Sequence, residues 1–299
     1  MNYTRSAIAA FYLIIIYLIW IKKTSYYMFV TKSAFALLFL LLTYLVWLEK
    51  TSYSIFVARN PVTPDRLAIT TYNIQYLPWT TKSLTPIRRV TKLYPVIMLQ
   101  ECFNRLSSIP LPTIFPEYNI CRGKMKGLAL VNSGLVTLSQ YPIVSHQFVE
   151  FTRFTVLSAD ALSNKGFLAC TIQLPEQQVC FINTHLQSCE HSDYDPVVKD
   201  QLRQIFQFAR GLSIPYVVGG DFNINHTELA QTLYAPAVVK APVQPTIYIN
   251  LASGASRSSP KQGYQPYTFD YFFVHPSLNF QQVVSEQDDY SDHNPSFLQ

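Results

Sequence analysis

Six apolar runs in this chain each end on a residue that can bind a metal, carry a proton or orient a phosphate. In chain order the ends are Asn73 after Thr-Thr-Tyr, Glu101 after Ile-Met-Leu-Gln, His185 after Ile-Asn-Thr, and Asp221 with Asn223 in Gly-Gly-Asp-Phe-Asn. Asp270 follows in Thr-Phe-Asp-Tyr, and Asp292 and His293 close the series in Tyr-Ser-Asp-His-Asn. A set of acids, amides and imidazoles at one sheet edge points to metal-assisted hydrolysis. A hard divalent cation takes oxygen ligands, so Mg²⁺ is the expected metal, with Mn²⁺ as a substitute. Glu101, a carboxylate closing a buried strand, is the first candidate ligand, and Asn73 offers an amide oxygen beside it. Asp221 and Asn223 are two apart and face the same way if the chain stays extended, where they can share a phosphate and its water. Gly219 and Gly220 would let backbone approach a ligand closely. His293 is the candidate general base, because imidazole titrates near neutrality. Asp270 would orient its ring, and Asp292 would point away from it toward the metal. His185 suits charge stabilisation on phosphoryl oxygens. Each residue alone also has a plainer reading as a turn or a solvated strand end; for the two histidines it weighs as much as the functional one, and their recurrence with the acids favours a site. His146, His191, His226 and His275 lack such context.

The elements that must position these residues are mostly strands. Short runs rich in β-branched and aromatic residues predict strands near 67–73, 95–100, 128–131, 134–139, 143–151, 166–173, 178–184, 214–220, 268–274 and 279–285, with a short one near 295–299. An amphipathic helix is expected at 196–210, opened by Pro196 and carrying Leu202, Ile205, Phe206 and Ala209 on one face. A second helix is expected from about Asn225, and a weaker one at 84–93. Many strands with few helices suggest two sheets packed face to face with helices outside. Residues 252–267 read as a polar loop. Cys170 and Cys180 flank a hairpin turn, where a disulfide or two buried thiols are both open.

The N-terminal part differs in kind. Residues 7–21 and 33–48 are uncharged and apolar, each somewhat short of the roughly 20 residues that span a bilayer. They belong to a tandem repeat: residues 17–30 align with 44–57 at 9 of 14 positions, 27 residues apart. Trp, Tyr and Lys at the repeat ends suit a headgroup layer. Membrane association is expected, and two arrangements stay open: both segments span, or both dip into one leaflet. Residues 1–59 carry six Lys/Arg and one acid, while 60–299 carry 17 of each sign. The basic residues therefore flank the apolar runs, where anionic lipid headgroups could meet them. The remainder has no bulk basic footprint of the kind nucleic-acid binding needs. No protein partner is inferable. The expected organisation is a membrane-associated repeat at 1–58, a linker at 59–66 and a catalytic domain at 67–299.

The segments Tyr-Asn-Ile, Leu-Gln-Glu, Asn-Thr-His-Leu, Gly-Asp-Phe-Asn, Phe-Asp-Tyr and Ser-Asp-His, in this order across 67–299, resemble the endonuclease/exonuclease/phosphatase superfamily. That resemblance implies an α/β fold, a four-layered sandwich of two central, mainly antiparallel sheets flanked by helices. It also implies divalent-metal phosphoester hydrolysis. Residues 134–143 (GLVTLSQYPI), 159–167 (ADALSNKGF), Asn183-Thr-His-Leu-Gln187 and Gln201-Leu-Arg-Gln-Ile205 are similar to the neutral sphingomyelinases within it. By that resemblance Glu101 and Asn73 bind Mg²⁺ with Asp292 near them. Asp221 and Asn223 position phosphate and water, His185 steadies phosphoryl oxygens, and His293 activates water with Asp270 behind it. Asp160 and Lys165 would position substrate. An aromatic-tipped hairpin, used by secreted bacterial relatives to enter membranes, looks absent before Ser-Asp-His. The resemblance implies a membrane-attached enzyme releasing phosphocholine from sphingomyelin. Alternatives are a phosphodiesterase or phosphatase of the same fold on another phospholipid, lysophospholipid or phosphoinositide, then a nuclease, then a catalytically dead membrane-bound binding module.

Overall fold

A computed structural model of the chain describes residues 36–37, 39–40, 43, 55–59, 62, 64, 66–77, 80, 82–103, 111–123, 132–153, 163–188, 196–225, 237–253 and 255–299. Contacts divide the chain into two units, residues 1–48 and 49–299. Of the first unit only Ala36, Leu37, Phe39, Leu40 and Thr43 are described; all five are helical. Among the described residues no helix is long and apolar enough to cross a membrane. The apolar segment 7–21 and most of 33–48 lie outside the described residues.

The second unit is built on two large sheets. Its strands and helices are, in chain order, β1 (Ile55–Phe56), β2 (Ile69–Tyr76), α1 (Thr85–Thr91), β3 (Val96–Cys102), α2 (Leu111–Ile114), β4 (Asn119–Arg122), β5 (Val136–Ser139), β6 (Ile143–Glu150), β7 (Gly166–Gln173) and β8 (Gln178–His185). Then come α3 (Pro196–Arg210), β9 (Tyr216–Asp221), β10 (Val238–Lys240), β11 (Ile247–Ile249), β12 (Ser256–Arg257), β13 (Gln265–Tyr267), β14 (Asp270–Val274), β15 (Val283–Ser285) and β16 (Ser296–Leu298). One sheet has seven strands in the order β1-β4-β5-β3-β2-β16-β15, the other six in the order β10-β14-β9-β8-β7-β6. The pairs β2/β3 and β8/β9 are parallel; the other described pairs are antiparallel. Each parallel pair needs a crossover connection, and the segments bearing α1 and α3 supply the two.

Both faces of each sheet are covered, and the period-2 alternation of strand side chains decides what each face buries. Ile69, Val96 and Met98 of the first sheet meet Cys170, Phe181, Val217 and Phe272 of the second. Tyr72, Ile97 and Leu99 point the other way, onto Ile87 of α1 and Leu111 of α2. Phe167, Ile182, Val218 and Phe273 leave the second sheet on its outer side and pack on Val198, Leu202, Ile205 and Phe206 of α3. The layers therefore run helix, sheet, sheet, helix. The expected helix at 196–210 has the bounds read from its apolar spacing, with Pro196 at its start.

Several expectations are corrected. Residues 252–267 are not only loop: β12 and β13 flank β11 in a third, three-stranded sheet. Ile55–Phe56, within the expected repeat region 1–58 but beyond its apolar segments, pairs with β4 as a short strand. Strand 279–285 shortens to Val283–Ser285. Of the two states left open for Cys170 and Cys180, the structure has the free buried thiols. Cys170 is paired with Phe181 and Cys180 with Thr171, so their side chains alternate to opposite faces, one into each core. The expected strand 128–131 and the helix beyond Asn225 fall outside the described residues.

Candidate active site

The topology brings the chemical residues to one edge of both sheets. In the parallel pair β2/β3, Asn73 sits beside Gln100, next to Glu101. In β8/β9, His185 lies beside Asp221. Antiparallel β14 begins where β9 ends, so Asp270 pairs with Asp221. The turn before β16, which runs back along β2, carries Asp292 and His293.

Asn73, Asp221, Asp270, His185 and His293 are all buried, and Glu101 is partly open. Asn73 Nδ2 donates to Glu101 Oε1 and to Asp221 Oδ2, both at 2.9 Å. His293 Nδ1 meets Asp270 Oδ2 at 2.7 Å, and its Nε2 stands 3.5 Å from Asp221 Oδ2. His185 Nε2 is 3.6 Å from the same Asp221 oxygen and 4.0 Å from Glu101 Oε1. Asp221 is thus a hub for both imidazoles and the Asn73 amide. Lys165 Nζ and Asn223 Nδ2 each donate to Leu186 O at 3.0 Å, just beyond His185. Asp292 accepts from the Ser256 hydroxyl, and the single Ser291 hydroxyl proton is shared between Asn73 O at 2.8 Å and Asp292 Oδ1 at 3.2 Å. Asp160 lies outside the described residues.

Three details differ from the sequence-based expectations. Asn73 turns its NH₂, not its amide oxygen, to the carboxylates; its oxygen accepts from Gln75 N. The chain does not stay extended after Asp221: Asn223 N donates back to Asp221 Oδ1 and Asn223 has φ +51°. Asp292 lies in a turn, not on a strand, and its direction is set by the two serines. The glycines before Asp221 serve packing. A Cβ on Gly219 would stand 2.5 Å from Met98 Cε across the two sheets, and one on Gly220 2.0 Å from Thr184 O of the paired strand. Glu101 also has a left-handed backbone, φ +50°. Non-glycine residues held there store strain of order 1–3 kcal/mol, a hallmark of functional sites.

The charges work against one another. Burial pushes Asp221 up, but His293, His185, the Asn73 amide and the Asn223 N–H together hold it below the usual carboxylate range. Burial pushes Asp270 up to about 6, against the pull of His293. Burial disfavours the charged His293 ring, yet Asp270 and Asp221, with Asp292 behind them, hold it well above its ordinary value. Glu101 is raised, first by burial and then by the charge of Asp292, although Asn73, His293 and Lys165 pull it down.

The donor set fits a divalent cation. Ligand atoms of Asp221, Asp270 and His293 lie within 4.8 Å of one another, and Asp270 Oδ1 is buried without a hydrogen-bond partner. In that trio the close Nδ1–Oδ2 contact already uses one ligand atom of His293 and one of Asp270. Glu101 and Asp292 raise the alternative of an oxygen-only pair, since the charge of one already disfavours ionisation of the other.

The sequence profile described as the Endonuclease/Exonuclease/phosphatase family matches residues 70–293. The chain belongs to this family. Over 117 residues it is 33% identical to Sphingomyelinase C of Bacillus cereus, covering 36% of this chain and 34% of that protein; the match thus spans about a third of the curated relative's length. Among solved structures, a beta toxin variant of Staphylococcus aureus with bound magnesium ions superposes with TM-score 0.60 at 20% identity, over 78% of this chain and 98% of that one. Sphingomyelinase C from Streptomyces griseocarneus gives TM-score 0.57 at 19% identity, over 78% and 98%. D. rerio TDP2 complexed with a single-strand DNA product gives 0.59 at 16%, over 78% and 97%. At these identities the structural likeness shows the fold alone.

The reading from sequence overlooked the residues that brace the site. Asn183 and Gln100, both fully buried, join the two sheets: Asn183 Nδ2 donates to Leu99 O and Val136 O at 3.0 Å, and Gln100 Nε2 donates to Asn183 Oδ1 at 2.7 Å. Gln201 of α3 accepts from Gln187 N and donates to Arg153 O. The available signal was an amide inside an apolar run, as in Cys-Phe-Ile-Asn-Thr.

Proposed function

We propose that this protein is a membrane-attached, divalent-metal-dependent phosphodiesterase that cleaves a phospholipid between phosphate and the lipid alkoxide, with sphingomyelin as the leading substrate. The single observation carrying the hydrolytic reading is the His293 ring held between Asp270 at Nδ1 and Asp221 at Nε2. Asp270 fixes the tautomer and orientation of the ring, and His293 Nε2 takes a proton from the attacking water. Asp221 lies within reach of both imidazoles and positions that water. Nε2 of His185, directed at the same oxygens, stabilises charge growing on the phosphoryl group. Lys165 and Asn223 are gathered at Leu186 O, just beyond His185, and by the resemblance Lys165 and Asp160 position the substrate.

Glu101 and Asp292 would hold Mg²⁺, with Asn73 bracing Glu101 through its NH₂. A bound divalent cation supplies Lewis-acid stabilisation of phosphoryl oxygens. Its charge would also offset the carboxylates that now keep His293 protonated, which the base role requires.

Sphingomyelin as substrate is supported by the curated relatives' name and the shared motif segments. Membrane attachment is supported by the apolar repeat at 1–58 and its flanking Lys and Arg residues. The balanced charge of 60–299 disfavours a nucleic-acid substrate. The test is phosphocholine release by the full-length chain in liposomes of sphingomyelin, or separately of phosphatidylcholine, with and without Mg²⁺. Mg²⁺-dependent release from sphingomyelin that disappears in His293→Ala is the expected result. Release from neither lipid by a folded, membrane-bound chain refutes the substrate assignment.

A further inference from the structure

On the Asp292 side of the catalytic cluster lies an open cavity of about 310 Å³. Gln75, Lys82, residues 256–259 and residues 289–292 line it. Two cations enter it. Lys82 Nζ donates to Tyr290 O at 3.0 Å and stands 5.2 Å from the centre of the Tyr290 ring. Arg257 Nη2 donates to Ser259 Oγ at 2.8 Å, while its Nε is buried with no hydrogen-bond partner. Both spend donors on neutral oxygens, and among the described residues neither pairs with a carboxylate. Of the two acids lining the cavity, Asp292 is engaged by Ser256 and Ser291, and Asp289 is exposed.

We propose that this cavity binds an anionic oxygen group, a phosphate or carboxylate, lying beside the phosphate that reacts. The inference rests on the reading of the adjoining cluster as a phosphodiesterase site. Unpaired guanidinium and ammonium donors around hydroxyls recognise such groups through charge-assisted hydrogen bonds. A quaternary ammonium is the poorer occupant. It needs an aromatic face, and Lys82 already sits over the Tyr290 ring. The anion can come from the substrate's own headgroup or from a neighbouring anionic lipid.

Binding is tested with the full-length chain in neutral detergent micelles, stripped of metal and titrated with inorganic phosphate while ³¹P line width is followed. Arg257→Gln and Lys82→Gln should each weaken binding about tenfold or more, as expected for loss of a charge-assisted hydrogen bond; Glu101→Gln should not weaken it. Unchanged affinity in both cavity variants overturns the proposal and places phosphate at the histidines instead. Two hydrolysis assays in vesicles then separate the sources. If the substrate carries the anion, the variants lower kcat/KM on a phosphoinositide and leave sphingomyelin hydrolysis unaltered. If a neighbouring lipid carries it, they abolish stimulation of sphingomyelin hydrolysis by phosphatidic acid without reducing vesicle binding. Either pattern supports the cavity; no effect of the variants on either lipid overturns it. Should the wild type hydrolyse no lipid while phosphate binding still depends on Arg257, the functional reading fails and the cavity assignment stands.

Discussion

Replacing Asn183 with Leu tests whether the site depends on a polar tie between the two sheets. The side chains share one branched shape and Leu is the bulkier, so the change opens no cavity and removes the hydrogen bonds at a modest cost in packing. Asn183 is fully buried on β8 of the second sheet, and its three bonds reach Leu99 O, Val136 O and Gln100 Nε2 of the first. Gln100 Nε2 keeps Thr71 Oγ1 and Met98 O as acceptors, so it is not orphaned. The two carbonyls lose a donor where the β3/β5 ladder ends at the Leu99–Val136 pair. A typical hydrogen bond contributes about 0.5–1.5 kcal/mol and an orphaned buried polar group costs about 1–3 kcal/mol, so the loss should be about 2–4 kcal/mol. Urea unfolding with an unchanged m-value measures it. The same ladder end leads to Glu101 and its left-handed backbone, so Mg²⁺ affinity should fall as well. Asn183→Asp should cost more, because it turns acceptor oxygens toward two carbonyls. A loss below about 1 kcal/mol in Asn183→Leu, inside the range of a mild Ile182→Val control, would refute the tie.

Gly220→Ala should destabilise by about 3 kcal/mol or more, since its Cβ would fall 2.0 Å from Thr184 O on the paired strand and neither backbone can yield cheaply; thermal unfolding reads this. Asp270→Asn should keep the fold and substrate binding yet lower kcat about 10²–10⁴-fold, because Asn no longer stabilises a charged His293 ring; a kcat/KM comparison under saturating metal decides it. Mg²⁺ at about 100 times its Kd should stabilise the wild type by about 2.7 kcal/mol relative to chelator. That increment should vanish in Glu101→Gln, whose metal-free form is no less stable because the mutual repulsion with Asp292 is gone.

The convergence of these residues was legible because acids, amides and imidazoles are conspicuous after apolar runs, and register brings those runs to one edge. The brackets of the sheets were not. Ile55–Phe56, Ser256–Arg257 and Gln265–Tyr267 are two or three residues long, too short for alternation to appear, and they exist only by pairing with longer neighbours. Residues 252–267 read as loop because they are polar and hold two glycines and two prolines, yet Ser256 holds Asp292 and Arg257 enters the cavity beside it. Side-chain direction was also beyond reach. Asn73 presents nitrogen rather than oxygen because two carboxylates converge on it, and one of them, Asp221, is 148 residues away.

The division of labour between the sheets explains why a polar tie is tolerated in an otherwise apolar interface. Asn73, Glu101 and the His293 turn belong to the seven-stranded sheet, while His185, Asp221 and Asp270 belong to the six-stranded one. The central contacts, His293 to Asp270 and Asn73 to Asp221, therefore cross from one sheet to the other. Apolar packing such as Met98 against Phe272 sets the spacing of the layers but resists sliding weakly, since hydrophobic burial is non-directional. The proton transfer proposed for His293 would need heavy atoms placed within a few tenths of an ångström. Directional bonds from Asn183 to the carbonyls of Leu99 and Val136 supply that registration two residues from Glu101 on one strand and two residues from His185 on the other. A buried amide is costly when unpaired, and here its cost is offset where precision matters most.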